Sequence, residues 1–440
     1  MNVRLDTLTS IGRFASDMTE GYIRSSAYED DDRYVMLCYT PKTQFSGNWI
    51  EDTTILARGL AVRLSESDNG RLESGNVGII ADALKDATVV ARGMRKFFTV
   101  DASASEWGTV KLVDDDENVT VSDDYSIDFN APASVSDKLD GALGIGVPVN
   151  GRLIIATKGA FRSDEAVVGT QYLHGKHDAP AFLRFLTDEL HGDMTPLFEI
   201  ITPEADHVVD YGDYADIVFL GLMTIRDGHW IPAARLDADA RTAGTRAKDI
   251  PSLFGFRTPE PYKAASLSDA LRMKEIPNHE GMVVTLNTEP QRMFKVKYAT
   301  FLELQRLKNL NGNSIARMIM DMDDDSIMSL RDPKIMPRIP RRTEASERII
   351  AQVADNARIV ETAIRDAVLT AESMYDSMSA GLDLHDRDGI KRFALAAMGA
   401  TDDKTVKSVL LAMKKHPDDA DARRHAAVEA AKRLITKSML

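Results

Sequence analysis

Five short stretches of this chain carry side chains whose types and spacing could do chemistry. Phe294-Lys295-Val296-Lys297 sets two lysines two residues apart, and on a strand that spacing turns both to one face. Phe198-Glu199-Ile200-Ile201 and Glu280-Gly281-Met282-Val283-Val284 each put one carboxylate into an apolar run. Thr157-Lys158-Gly159 closes another run, and Lys138 precedes Leu139-Asp140-Gly141. Several lysines on one sheet suit a polyphosphate, and a lysine that loses its proton is a nucleophile. Each stretch alone also reads as a strand with a wet face, and Lys-Leu-Asp-Gly as an ordinary turn. A wet face gives no reason for acids and bases to alternate in blocks along the chain.

The elements that must position these residues are mainly strands. YVMLCYT, TILARGLAVRL, ATVVARG, GTVKLV, GALGIGVPV and GRLIIATKG are short apolar runs between turn signals, and Asn150-Gly151 marks a hairpin. PLFEIITP, HVVDYG, DIVFLGLMTI, GMVVTL and MFKVKYA continue the series, while residues 179–191 read as a helix. Val3, Leu5, Leu8, Ile11 and Phe14 suit an opening helix within the first twenty residues. After about residue 303 the apolar spacing becomes helical, in segments split by GLDLHDRDG, TDD and HPDD. Strand runs with inserted helices, without regular βαβ alternation, point to an α+β fold of mixed or antiparallel sheets with flanking helices, followed by an all-α domain. The boundaries expected are 1–303 and 304–440.

Bulk composition narrows the classes further. The 440 residues are 44% hydrophobic and 28% charged, which suits a folded chain with a large core. No apolar run approaches the roughly 20 residues that span a bilayer. The N-terminal MNVRLDTLTSIGRF lacks the apolar block of a secretory signal, and Cys38 is the only cysteine. A cytoplasmic protein without disulfides or a cysteine-based zinc site is the expectation. Net charge is −14, and Lys+Arg minus Asp+Glu is −15 over residues 1–300 but +1 over 301–440. That balance disfavours an extended nucleic-acid surface but leaves room for a local basic cleft. There is no Walker-type phosphate loop, and GALGIGV has misplaced glycines for a dinucleotide fingerprint. His174 and His177 have metal-like spacing without a second pair, and read as a surface loop.

Taken in order, the charged blocks resemble the covalent nucleotidyltransferases, and most of all the phage-type ATP-dependent RNA ligases that repair tRNA. The likeness rests on Lys138-Leu-Asp140-Gly141, Lys158-Gly159 before Ser163-Asp-Glu-Ala166, Phe198-Glu199-Ile-Ile-Thr-Pro203, Glu280-Gly281-Met-Val283 and Lys295-Val-Lys297. Upstream, Ala57-Arg58-Gly59 and Arg95-Lys96-Phe97-Phe98 are similar to the family's phosphate- and adenylate-contacting elements, and Tyr39 falls near an ATP-contacting tyrosine. The resemblance implies an adenylyltransferase domain in which Lys138 attacks ATP to form lysyl-AMP. AMP then passes to an RNA 5′-phosphate, and a 3′-hydroxyl displaces it.

On that reading Tyr39, Arg58, Lys96, Lys158, Glu199, Glu280, Lys295 and Lys297 hold ATP, and Phe98 either stacks on adenine or packs in the core. Lys158, Lys295 and Lys297 are expected to depress the Lys138 pKa. Asp140 is a candidate for positioning or activation in the sealing step. Mg²⁺, or Mn²⁺ in its place, is the implied cofactor. Asp321-Met-Asp323-Asp324-Asp325 lies where the family has a metal-linked acidic cluster, with Asp324 the candidate, although a solvated helix cap explains the same run. The implied partners are RNA ends, single-stranded or tRNA-like, with a separate kinase/phosphatase to heal them; no membrane is involved and a monomer is expected. DNA ligases and capping enzymes share the five blocks but continue into a small β-barrel, whereas this chain turns helical after Lys297. A module that binds RNA or nucleotide without catalysis is the remaining alternative, and the intact lysines and glutamates speak against it.

Overall fold

The computed structural model describes residues 3–65, 69–100, 112–113, 119–120, 127–205, 207–308 and 344–438. The chain divides into two compact units, Met1–Phe301 and Leu302–Leu440.

The first unit opens with β1 (Val3–Arg4), α1 (Ile11–Thr19), β2 (Ile23–Tyr28), β3 (Asp31–Tyr39), α2 (Pro41–Ser46), β4 (Arg58–Arg63), α3 (Val77–Leu84) and β5 (Thr88–Arg92). Its strands make an antiparallel sheet in the order β1-β5-β4-β3-β2. Phe14 of α1 and Ile80 and Leu84 of α3 pack on Leu37 and Leu60 of the sheet. The expected opening helix is confined to α1, because Val3 pairs with Val89 as a strand and takes Leu5 into the core with it.

The chain then lays down β6 (Phe98–Val100), β7 (Leu112–Val113), β8 (Val119–Thr120) and β9 (Ala133–Lys138), parts of a sheet completed only much later. In between, β10 (Ala142–Val149), β11 (Arg152–Ala156), β12 (Met194–Ile201), β13 (Asp216–Thr224) and β14 (Trp230–Pro232) form an antiparallel sheet ordered β11-β10-β12-β13-β14. The β10–β11 turn is the Asn150-Gly151 hairpin, with φ of 47° and 79°, positive values that match strand twist. Helices α4 (Asp164–Lys176) and α5 (Ala179–Asp188) belong to the apolar layer on this sheet, where Leu173 and Phe182 meet Phe198 and Phe219. Short helices α6 (Ile250–Phe254) and α7 (Leu267–Arg272) lead to β15 (Gly281–Leu286) and β16 (Arg292–Lys297). These complete the six-stranded order β8-β7-β6-β16-β15-β9, in which only the β6–β16 pairing is parallel.

Helix α8 (Ala299–Lys308) follows, and the second unit continues as α9 (Glu344–Ser379), α10 (Arg387–Gly399), α11 (Lys404–Met413) and α12 (Ala420–Ser438). Ile364, Phe393, Val409, Leu410 and Ala427 share one core. The aspartates that split its helical runs cap the helices they precede: Asp386 accepts from the Asp388 and Gly389 amides, and Asp403 from Thr405 and Val406. The architecture is α+β with an all-helical C-terminal part. Among the described residues no helix is long and apolar enough to cross a membrane.

Two local expectations fail. HVVDYG forms no strand, because the Val208 and Val209 amides donate to a side chain instead of a ladder. His174 and His177 are not a surface loop but close α4. His174 Nε2 lies 2.8 Å from the Leu153 carbonyl, and His177 is buried between the Phe254 carbonyl (2.9 Å) and Asp216 (3.0 Å).

Candidate active site

Strand register assembles the core of the site. Lys138 ends β9 opposite Gly281 of β15, and Gly281 is opposite Lys297 of β16. One step along, Ser136, Val283 and Lys295 form the next row. Lys138, Lys295 and Lys297, far apart in sequence, thus share one face of a three-strand ribbon. Gly281 sits at the centre with φ of 149°, and a Cβ there would meet the Val296 carbonyl and stand 2.8 Å from Lys297 Cα. Only glycine lets the strands close.

Glu280, next to that glycine, lies between two of the lysines. Lys138 Nζ donates to Glu280 Oε2 at 2.7 Å, and Lys297 Nζ is 3.1 Å from Oε1. The Glu280 side chain is 4% exposed, Lys297 8% and Lys138 19%, so these are desolvated contacts. Their effect on Lys138 reverses the expectation from sequence. Burial alone would lower its pKa, but the Glu280, Glu199 and Asp140 carboxylates outweigh burial and hold it above the ordinary lysine value. The nearest charge is a carboxylate, not another lysine.

Glu199 reaches the site from β12, where it pairs with Leu143 of β10. Its Oε1 accepts from the Gly141 amide at 3.1 Å. Burial, the largest influence, pushes its pKa up to about 7, with Lys138 opposing and Glu280 and Asp140 adding to the rise. Asp140 is a clasp: its Oδ2 accepts from the amides of Val208 (2.7 Å) and Val209 (3.0 Å), while its own N–H donates to Tyr211 Oη at 2.7 Å. Tyr211, with Asp137, Asn278, His279, Lys138 and Glu280, lines a cavity of about 210 Å³. Asp137 Oδ1 in turn holds His279 Nδ1 (2.9 Å) and the Tyr262 hydroxyl (3.1 Å).

A second group combines cations with aromatic rings. Lys96 Nζ lies 5.2 Å from the Trp49 ring centroid and 5.7 Å from those of Tyr39 and Phe98. Lys158 Nζ is 5.7 Å from the same Tyr39 ring, and Lys295 Nζ is 5.1 Å from Phe97. Arg58 donates to the Met94 carbonyl at 3.2 Å and lies over Phe97 at 5.8 Å. Phe98 is therefore packed on Trp49 and faces Lys96. The structure brings Lys138, Glu199, Glu280 and Lys297 together, and joins Tyr39 to Lys96 and Lys158.

Asp324 lies outside the described residues. Among the described residues no group of three or more His, Cys, Asp or Glu could hold a metal ion. Both Glu280 oxygens are already on lysines, so these residues offer a cationic field rather than a metal cage. A hydrated divalent ion would suit outer-sphere contact with a carboxylate here rather than direct ligation. Sequence reasoning did not find Tyr211, Trp49 or the Asp137–His279 pair. Tyr211 lay in a stretch taken for a strand, and Trp49 in one with no pattern.

A model of the RNA ligase family matches residues 56–301, more than half of the chain and the whole span from Arg58 to Lys297. The chain belongs to the RNA ligase family. Among solved structures this RNA ligase is similar to an archaeal ATP-dependent RNA ligase at 13% identity and a TM-score of 0.42, over 88% of this chain and 86% of that one. It is similar to a putative ATP-dependent DNA ligase from Aquifex aeolicus at 13% identity and a TM-score of 0.40, over 81% and 79%. A Naegleria gruberi RNA ligase with PPi aligns at 11% identity and a TM-score of 0.32, over 65% and 98%. No curated protein matches the chain.

Proposed function

We propose that this RNA ligase is ATP-dependent and joins RNA 5′-phosphate and 3′-hydroxyl ends through an adenylylated Lys138. The observation that carries the proposal is the Lys138–Gly281–Lys297 row with Glu280 bridging the two ammonium groups. In the first step Lys138 Nζ attacks the α-phosphorus of ATP. A P–N bond forms, the bond to the β-phosphate oxygen breaks, and pyrophosphate leaves. Lys138 has to lose a proton to attack, and Glu280 Oε2, already in contact, is the nearest acceptor. Lys295 and Lys297 offset the charge that builds on the phosphoryl oxygens, and Arg58, Lys96 and Lys158 hold the triphosphate, Arg58 by its planar fork. Tyr39 positions Lys96 and Lys158 through its ring, and Glu199 takes a ribose hydroxyl. A divalent ion, Mg²⁺ or Mn²⁺, would add charge neutralisation on the phosphates.

In the second step the RNA 5′-phosphate takes AMP from Lys138, and in the third a 3′-hydroxyl displaces AMP and closes the strand. The helical residues 304–440 would select RNA, and repair of cleaved tRNA-like substrates healed by a separate kinase and phosphatase is the role that suits such an enzyme. The test is incubation with α-labelled ATP and a divalent ion, followed by denaturation. The wild-type chain is expected to carry an acid-labile adduct that Lys138→Ala abolishes. Absence of an adduct, or its survival in that variant, would refute the mechanism, and RNA and DNA ends in competition would decide the polymer.

A further inference from the structure

Most of the arginines of the first unit have a carboxylate to hold. Arg13 pairs with Asp52, Arg33 with Asp31, Arg95 with Glu51, Arg162 with Glu29 and Arg241 with Asp227. Against a net charge of −14 such pairing is what an acidic chain should give. Arg24 is among those that do not follow it. The guanidinium is exposed and, among the described residues, makes no hydrogen bond or ion pair.

Its position explains why that matters. Arg24 of β2 is in register with Cys38 of β3, and Cys38 with Arg58 of β4, so two arginines flank one cysteine across three strands. The Lys158-Gly159 turn lies against the same row. A Cβ on Gly59 would stand 3.3 Å from Lys158 Cα, and one on Gly159 would collide with the Arg24 guanidinium and stand 3.8 Å from Cys38 Sγ. Gly159 has no positive φ to demand glycine, so what its missing side chain provides is room for Arg24. Burial pushes the Cys38 thiol up, and the charges that oppose burial there are Arg24, Lys158 and Arg58, the same three. None of the three has a carboxylate partner among the described residues. Three cations around one spot, left unpaired in an acidic protein, form a site for a multiply charged anion.

We infer that Arg24 is a substrate-positioning residue that grips the polyphosphate tail of the nucleotide together with Arg58 and Lys158, and that Gly159 exists as glycine to admit it. The inference rests on the nucleotidyl-transfer reading above. It adds a contact that lies outside the matched span 56–301. Arg24 acts by holding the leaving phosphates in line, so it bears on adenylylation and not on sealing.

The experiment uses the full-length protein and separates the steps. Lys138 adenylylation from labelled ATP is measured for wild type, Arg24→Gln, Arg24→Lys and Gly159→Ala. Sealing of RNA that is already 5′-adenylylated, which needs no ATP, is measured alongside. Arg24→Gln is expected to lower kcat/KM for ATP about 10–100-fold, the loss of a charge-assisted contact, and to weaken inhibition by pyrophosphate in parallel. Arg24→Lys, which keeps the charge without the fork, should fall between. Sealing of adenylylated RNA should be unchanged. Gly159→Ala should mimic Arg24→Gln, and should cost little more when Arg24 is already replaced. Equal losses in both reactions, or adenylylation at the wild-type rate in Arg24→Gln, would overturn the inference. A wild-type protein that forms no lysyl adduct would refute the proposed function instead, so the two failures are distinct.

Discussion

Replacing Glu280 by glutamine tests the centre of the site. The change keeps shape and removes one charge, leaving the ammonium groups of Lys138 and Lys297 2.7 and 3.1 Å from a neutral amide. Breaking a buried ion pair on one side costs about 3–5 kcal/mol, because the remaining charge stays buried and uncompensated. Here Lys297 and Lys138, at 8% and 19% exposure, both lose the Glu280 charge, while Glu199 and Asp140 still act on Lys138, so the lower end, about 3 kcal/mol, is expected. Lys138→Met behaves differently. It leaves Glu280 its ion pair with Lys297, so that carboxylate keeps a compensating charge and the cost should be smaller than that of Glu280→Gln. The double variant should therefore recover part of the Glu280→Gln loss. Urea unfolding followed by circular dichroism at pH 7 measures all three free energies. The Lys138 pKa is raised in the folded state, so the stabilisation it reports is complete below the unfolded value near 10.4 and is lost only as pH rises through the folded value. The gap between wild type and Glu280→Gln should accordingly hold from pH 7 to pH 9. A Glu280→Gln protein within about 1 kcal/mol of wild type, well below the cost of a stranded charge, would show that the lysines do not depend on this carboxylate.

Two further outcomes follow from the neighbouring carboxylates. Glu199 has its pKa raised to about 7 from an ordinary 4.5, so its favourable contribution is present below pH 4.5 and is lost as pH rises through 7. Glu199→Gln escapes that loss, and between pH 5 and pH 8 it should gain about 2.5 kcal/mol relative to wild type in urea unfolding; parallel curves would refute the assignment. Asp140→Ala strands the Val208 and Val209 amides and should cost about 2–4 kcal/mol, whereas Asp140→Asn keeps an acceptor and should remain folded. If Asp140 serves as the clasp alone, Asp140→Asn still seals adenylylated RNA, and loss of sealing in a folded Asp140→Asn protein would return it to the chemistry.

Most strands that carry chemistry were legible because their periodicity is local. Lys295 and Lys297 lie two apart and Glu280 opens an apolar run, so those strands could be read without their partners, whereas β9, Ala-Ser-Val-Ser-Asp-Lys138, is largely polar and its strand carries no such signal. The Asn150-Gly151 hairpin was legible for the same reason. What sequence could not show is which strands adjoin. The field on Lys138 was expected to be cationic because three lysines were in view, but cross-strand register puts Glu280 nearest, and the sign reverses. HVVDYG has strand composition, yet Asp140 captures the valine amides from some seventy residues away. Arg24 and Trp49 carried no pattern, since their significance comes from what lies across the sheet or above a ring. His177 looked like a loop residue because its partners, Phe254 and Asp216, are remote in sequence.

The interrupted sheet has a consequence for how this chain comes to life. β9 carries Lys138 as the outermost strand of its sheet, and its ladder partner, β15, begins only at Gly281. An entire second sheet, β10 to β14, is inserted between them. During synthesis Lys138 therefore emerges long before the strand that pairs with β9 and the lysines that complete its face. Closing so long a loop is entropically slow, and the ladder that repays most of it forms only when β15 and β16 dock. A chain stalled or cut before residue 280 has Lys138 on β9 without Glu280, Lys295 or Lys297 and without the β15 ladder, held on that strand only by the 260–265 segment if it extends that far. If Lys138 reacts as proposed, the order of the strands makes completion of the unit and chemical competence a single event.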